Sequence, residues 1–406
     1  MTTTKNNEHK KLNFSSEREQ SQACLNSAEH EKNQGRKVLN VPNLRFPEFQ
    51  GEWEEYRIED ITENISSGRC KSHSSSGKYN LYGSTGIIGK TNEACYEGNL
   101  VLVARVGANA GSLQILNEPC GITDNTLIIK PKEVDVQYIY YFLQHFNLNR
   151  LIFGSGQPLI TGGMLKKVKV SLGTIQEQNK ITRLLSVLDE RITTQNKIID
   201  KLQSLIKGIN QRVFMNSGTN YKLGEICEIR NGYSGSQHLS KKGLKVSRIE
   251  TISGHKVNTE RVGYVAPFES SENYRLRVGD ILFSNINSVE YIGNTAFIDK
   301  DYDLYHGMNL LRLTPNNMVV IPFYLYLLLN TNRMLNRFKT VCNKAVSQAS
   351  INQTELGKTV VQIPDINAQK QICELYQALY DKLESEKYAN SLFQKQKQYL
   401  LRQMFI

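Results

Sequence analysis

The glycine-rich stretches, histidines and cysteines are the residues from which chemistry could be built here, and their spacing argues against most of it. Residues 83–91, GSTGIIGKT, resemble a phosphate-binding loop, but that motif puts four residues between its glycines and this stretch puts five. It leads into Asn92 and Glu93 rather than an apolar helix, so we read a loop that holds no nucleotide. Residues 104–111, ARVGANAG, follow a strand pattern without the G-x-G-x-x-G spacing or a following helix, which suggests a tight turn. His73, His145, His238, His255 and His306 show no H-x-x-x-H spacing and read as core or surface histidines, not metal ligands. Cys24, Cys70, Cys95, Cys120, Cys227, Cys342 and Cys373 are odd in number and never form a C-x-x-C pair. Neither a disulfide framework nor a zinc site is indicated, and a reducing cytoplasmic compartment is expected. There is no N-P-P-[FY] segment of the kind an adenine methyltransferase uses to hold a flipped base, and Pro364-Asp365 alone does not make a nuclease. No catalytic or metal-binding residue is assigned.

The elements say more than the chemistry does. Residues 174–216 contain no proline, and Leu185, Leu188, Ile192, Gln195, Ile199, Leu202, Ile206, Ile209 and Val213 alternate steps of three and four, giving one continuous seam. The spacing predicts a coiled-coil helix roughly 60 Å long, too polar on its other faces to cross a membrane. A second helix is expected over 366–406, because Ile175, Gln178, Ile181, Leu184, Leu188, Gln203 and Phe214 return in one register as Ile366, Gln369, Ile372, Leu375, Leu379, Gln394 and Phe405. Its seam reads Tyr376, Leu379, Leu383, Glu386, Phe393 and Leu400. Paired antiparallel, the helices would bring Gln195 and Glu386 together and set the globular copies at opposite ends.

The rest of the chain runs twice through one plan. Tyr56-Arg57-Ile58 returns as Tyr221-Lys222-Leu223, GNLVLVA from Gly98 as GDILFS from Gly279, and DNTLIIKP with Asn125 as MNLLRLTP with Asn309. Tyr140 and Leu143 return as Tyr324 and Leu327, and Gln157, Ile160 and Leu165 as Gln348, Ile351 and Leu356. The second copy is longer, mostly before Gly279. Repeated blocks read as core strands and helices, and the unmatched, polar, glycine-rich blocks as surface loops. Residues 1–40 are a polar leader expected to be disordered or loosely structured. Pro42, Pro47, Gly51 and Trp53 suggest an entry clamp, and Val319 to Asn330 a buried helix too short to span a bilayer. The expected organisation is α+β: a leader (1–40), a globular domain (41–173), a helix (174–216), a second globular domain (217–365) and a C-terminal helix (366–406).

Lys and Arg total 50 against 39 Asp and Glu among 406 residues, a net charge of +11, which suits a polyanionic partner. Arg and Lys read guanine, and Asn and Gln read adenine, while further basic residues hold phosphates. The unmatched blocks supply these types. In the first copy they include Arg69, Lys71, Ser84, Thr85, Lys90, Arg105 and Asn109, with Gln157 before the last strand. The second offers Arg230, Asn231, Tyr233, Arg248, Lys256, Asn285, Asn287, His306, Lys344 and Gln348. Two rival readings are an enzyme acting on DNA through unrecognised motifs and a coiled-coil scaffold for protein partners.

The order WEEYRIEDI, YGSTGIIGKT, GNLVLVAR, Gln157 to Ile160, VKVSLGTIQEQNKI and a long helix, repeated in modified form, resembles the specificity subunits of type I restriction-modification systems. The resemblance covers about Val41 to Ile406. It implies two homologous target recognition domains, joined by two long antiparallel coiled-coil helices, each reading half of a split site in double-stranded DNA. It further implies helices that dock two methyltransferase subunits, with restriction/translocase subunits in the full complex, in the cytoplasm of a bacterial or archaeal cell. The subunit itself would be non-catalytic and bind no cofactor, with S-adenosylmethionine, ATP and Mg2+ on its partners. Where the family has a proline-rich stretch before the helix, this chain has Leu172-Gly173-Thr174 in the first copy and Ile363-Pro364-Asp365 in the second.

Overall fold

The computed structural model of the protein describes residues 39–70, 76–152, 158–214, 218–237, 241–344 and 348–406. The expected leader lies almost wholly outside the described residues, as do Cys24, His73 and His238. The chain divides into two compact units, Met1–Arg191 with Phe393–Ile406, and Ile192–Leu392. Each unit therefore holds part of both long helices.

The strands of the first unit are β1 (Glu54–Arg57), β2 (Thr62–Ser67), β3 (Tyr79–Gly83), β4 (Gly86–Thr91), β5 (Leu100–Ala104), β6 (Leu113–Leu116), β7 (Cys120–Ile122), β8 (Thr126–Pro131) and β9 (Lys169–Leu172). Four of them form an antiparallel sheet in the order β2-β8-β5-β6. Strand β5 is buried at every position, because both of its faces are covered. Val101 and Val103 share a core with Tyr138, Ile139 and Phe142 of helix α1 (Val136–Phe146). Leu100 and Leu102 cluster instead with Tyr82, Cys120 and Ile122 of a smaller sheet, β4-β3-β7. Asp135 starts α1 by accepting from the backbone of Gln137 and Tyr138, and Asn147 ends it in a left-handed conformation. A short helix α2 (Gly162–Lys166) precedes β9, which pairs with β1 so that Tyr56 faces Val170, and leads to the long helix α3 (Ile175–Val213).

The second unit repeats this plan. Strands β10 (Thr219–Lys222), β11 (Cys227–Asn231), β12 (Leu244–Val246), β13 (Gly263–Val265), β14 (Ile281–Ser284), β15 (Ile286–Asn287), β16 (Thr295–Phe297) and β17 (Leu310–Pro315) precede β18 (Asn343–Lys344), β19 (Ala349–Ser350) and β20 (Val360–Ile363). The main sheet runs β11-β17-β14-β16, the same order with the matching strands, and β10 pairs β20 with Tyr221 facing Val361. After the short helix α4 (Leu223–Ile226), the framework helices are α5 (Pro322–Leu329), α6 (Asn332–Val341), α7 (Gln353–Gly357) and the long C-terminal helix α8 (Ile366–Met404). Six residues of α5 are buried. Among the described residues, no helix is long and apolar enough to cross a membrane.

Two expectations need correction. Aligning Gly98 with Gly279 puts Val101 on Leu282, yet Val101 pairs with Ile129 and Ile281 pairs with Leu313. Since Ile129 corresponds to Leu313, the strand match is one residue out of step. Both glycines have positive φ, +102° and +98°, so the alignment had caught the turn, and the first copy has one more residue between turn and ladder. The unmatched blocks, moreover, are not loops alone. In the first unit they build β3, β4 and β7; in the second, β12 and β13 and a separate apolar cluster of Ile252, Val262, Leu276, Ile298 and Leu304 lie over the outer sheet face with Leu282. GSTGIIGKT is accordingly a β-hairpin turning at Ser84 and Thr85.

The helix starts rest on buried polar residues. Glu177, 1% exposed, takes a two-pronged ion pair from Arg45 at 2.7 and 2.9 Å and a hydrogen bond from Trp53 Nε1 at 3.1 Å. A Cβ at Gly173 would come within 2.5 Å of Glu177 Oε2 and 2.6 Å of Trp53 Nε1, so this junction has room only for glycine. At the matching cap positions, Thr174 accepts from the Glu177 backbone at 3.3 Å and Asp365 from the backbone of Asn367 and Ala368. Gln178 and Gln369 occupy the same repeat position, and each donates to the carbonyl five residues back, Gly173 at 3.0 Å and Pro364 at 2.9 Å.

Along the helices, Leu185, Leu188, Gln195, Ile206, Tyr376, Leu383 and Leu400 are buried, and Ile192, Ile199, Leu202, Ile209, Val213, Leu379, Glu386 and Phe393 are half-buried. The pairing is antiparallel. In the first unit Asp189 meets Lys397 at 2.6 Å, and in the second Asn196 meets Asn390 at 2.9 Å and Asn210 accepts from the Tyr376 hydroxyl. Gln195 Nε2 donates to the Glu386 carboxylate and, at 3.1 Å, to its backbone carbonyl.

Candidate nucleic-acid interface

In the first unit, Ser84 and Thr85 form the tip of the β3–β4 hairpin. The hairpin is braced from one side. Lys90 donates to Asn80 at 2.7 Å, and Asn80 and Tyr82 both donate to Glu118, at 2.8 and 2.7 Å. These bonds hold the Glu118 carboxyl below its usual range, while burial, followed by the Glu118 bond, pushes the Tyr82 phenol up to about 12. Arg69 is exposed just beyond β2. Arg105 opens the turn after β5; its backbone is fixed to Asn125 and Ile160, and its Nε is buried with no partner among the described residues. Asn109 is exposed in the same turn, which closes through Gly107 and Gly111, both at positive φ. Lys71 and Gln157 lie outside the described residues.

In the second unit the candidates separate into surface and support. Arg230 is exposed and paired with Glu228, and Asn231 donates to Gln353 at 3.0 Å. The Tyr233 ring stacks on Phe268 at 4.0 Å, with Tyr274 edge-on at 5.6 Å. Arg248 is positioned by Gln237, which accepts from its Nε at 2.5 Å. Lys344 and Gln348 are exposed, and Asn287 is held by Ser284 at 3.1 Å.

Two candidates are buried rather than on the surface, and a third is exposed but paired. His306 is 0% exposed, with Nε2 3.0 Å from the Leu310 carbonyl, and burial lowers its pKa to about 4. It is a neutral core residue, held between the isolated bridge positions Tyr305 and Gly307 ahead of β17. Asn285 is 8% exposed and braces the strand through its carbonyl, which accepts from Ile351. Lys256 is tied to Glu384 of α8 at 2.9 Å, a surface ion pair.

Sequence reasoning missed Gln353, which links Asn231 to the Ile229 carbonyl, and the basic cleft of about 400 Å³ beside it. Arg230, Arg275, Arg277 and the buried Arg312 line that cleft with Glu228, Glu272 and Asp280. Burial lowers the Arg312 pKa, and two of its donors are spent on the carbonyls of Arg275 and Asn273, each at 3.1 Å. The signal was present in the repeat, where Arg312 takes the place of Ile128. Among the described residues, no group of three or more His, Cys, Asp or Glu side chains could hold a metal ion.

The family model described as "Type I restriction modification DNA specificity domain" matches residues 50–204 and again 217–391. A protein assigned as the MjaX type I restriction enzyme specificity subunit of Methanocaldococcus jannaschii is 44% identical over 158 residues, which are 38% of this chain and only 37% of that relative's length. The type I restriction enzyme MjaVIII specificity subunit of the same organism is 24% identical over 404 residues, 88% of this chain and 92% of that one. In fold, the chain is similar to the crystal structure of a type I restriction-modification S subunit from M. genitalium, with a TM-score of 0.61 and 18% identity over 90% of this chain and 99% of that one. With the domain model matched twice, on two units built to one plan, the chain belongs to the type I restriction-modification DNA specificity family and carries two of its recognition domains joined by two long antiparallel helices.

Proposed function

We propose that each unit reads one half of a bipartite, asymmetric site in double-stranded DNA, and that α3 and α8 dock two methyltransferase subunits. The observation that carries this reading is the combination of one sheet order, β2-β8-β5-β6 and β11-β17-β14-β16, with two different covers on its outer face. A shared scaffold fixes position, and unlike covers read unlike sequences. The recognition units correspond to 41–173 and 217–365, and the helical segments to 174–216 and 366–406. Outside their seam, the helices expose Val187, Ile198, Leu205, Tyr388, Leu392 and Tyr399. That surface suits protein partners, with S-adenosylmethionine on the methyltransferases and ATP and Mg2+ on restriction/translocase subunits. The setting is the cytoplasm of a bacterial or archaeal cell.

Arg248 offers the test, since Gln237 already fixes its guanidinium. With the assembled complex, Arg248→Ala should weaken cognate DNA by roughly 1 to 3 kcal/mol and leave random-sequence DNA nearly unchanged. Equal loss on both would make Arg248 a phosphate contact and remove it from readout.

A further inference from the structure

We propose that Cys70 and Cys95 are a redox-modification site, a dithiol that oxidises reversibly to a disulfide and closes the chain around the β3–β4 hairpin. The two sulfurs lie 2.8 Å apart across 25 residues of sequence, under about 1 Å from the ~2.05 Å bond they would form. Both are free thiols.

One short strand sets their meeting. The Cys70 backbone N–H donates to Ile122 of β7 at 3.0 Å. Tyr96, directly after Cys95, exchanges two backbone hydrogen bonds with Cys120 of the same strand, at 3.1 and 2.9 Å. Gly121, between those anchors, leaves the space the Cys70 sulfur uses; a Cβ there would stand 3.3 Å from it and 2.8 Å from Thr91 Cγ2. The sulfurs therefore need little backbone movement to bond.

Exposure assigns the order of events. Cys95 is exposed and Cys70 is 8% exposed, so hydrogen peroxide reaches Cys95 first. Its thiol becomes a sulfenic acid as the peroxide O–O bond breaks and one water leaves. The Cys70 sulfur then attacks the Cys95 sulfur, the S–S bond forms, and the displaced hydroxide takes the Cys70 proton and leaves as a second water. Two thiols thus give up two electrons and two protons to one peroxide, and a dithiol reductant reverses the step. The hydrogen bond with Cys70, followed by burial, pushes the Cys95 thiol up to about 11, so at neutral pH only a small fraction of Cys95 is thiolate and its oxidation is slow.

The ring encloses β3 and β4, with Ser84, Thr85 and Lys90, and begins next to Arg69. It would pin the part of the first unit that has no counterpart in the second. There, among the described residues, Cys227, Cys342 and Cys373 form no such pair.

The full chain should be treated with hydrogen peroxide and mapped by mass spectrometry without reduction. The expected product is a linked Cys70–Cys95 peptide, with both thiols lost together and regained with dithiothreitol. Hydrogen exchange of the β3–β4 amides should slow on oxidation and that of β12–β13 should not. Cys95→Ser, at an exposed position, should abolish the link and the change in exchange. Sulfinic acid at Cys95 with Cys70 still free, a Cys70–Cys120 link, or a link that leaves hairpin exchange unaltered would each overturn the proposal.

Discussion

His306 shows how a residue chosen for its chemistry can serve the fold instead. In the folded chain its pKa is about 4, against 6.5 for a free side chain, because burial disfavours the charged ring. A depressed folded pKa means the unfolded chain binds the proton first, so stability is full above about pH 6.5 and is lost as pH falls toward 4. The loss should reach the order of 3 kcal/mol over that window. Denaturant midpoints measured between pH 7 and pH 4.5 should fall less steeply for His306→Gln than for the natural chain. Burial also lowers His145 in the first unit, so some slope should remain; identical slopes would deny His306 this role. Sequence supplied the residue type but not its direction. His306 sits in the irregular stretch before β17 and Asn285 in the break between β14 and β15, where no alternation pattern signals which way a side chain faces. Arg248 lies in the connection after β12, whereas Arg230 and Asn231, expected on a loop, end the framework strand β11; what stayed hidden were the partners, Gln237 eleven residues from Arg248 and Gln353 far from Asn231 in the chain.

At the scale of elements, the helices were the most legible part, because an apolar step of three and four is both their cause and their signature. Gln195 and Glu386 interrupt that seam with a polar layer whose hydrogen bond fixes which residues face each other. Lys382 also pairs with Glu386, at 2.5 Å, so the carboxylate is held charged below its usual range, by Lys382 first and Gln195 second. Changing both seam residues to Leu should raise the melting temperature while loosening alignment, since an apolar layer gains burial but loses its register mark. A double variant that melts earlier than the natural chain would refute this. The covers over the sheets were far less legible. Strands β7, β12 and β13 have three residues each, too short for alternation to register, and β4 carries a bulge that sets the consecutive Ile87 and Ile88 both outward. Polar, glycine-rich sequence therefore read as loop where it builds a second layer.

For the whole molecule, the claim is that the chain is one reading unit with its helix, written twice. In the first unit's core, Leu400, Leu401, Met404 and Phe405 of the C-terminal segment pack with Tyr138, Phe142 and Leu185. In the second unit the corresponding Ile209, Asn210 and Phe214 pack around Tyr324 and Tyr376. A fragment of residues 1–216 keeps Ile209, Asn210, Val213 and Phe214, and a second copy of it can offer them where Leu400, Leu401, Met404 and Phe405 now lie. Of these exchanges only Asn210 for Leu401 changes character. The fragment should therefore pair with itself through α3, and its symmetry should pass to the DNA it selects. The most direct test is to express residues 1–216 with the methyltransferase subunits and map every methylated site in the host genome. The account predicts an inverted repeat of the first half-site; an unchanged asymmetric target, or a fragment that stays monomeric, would contradict it.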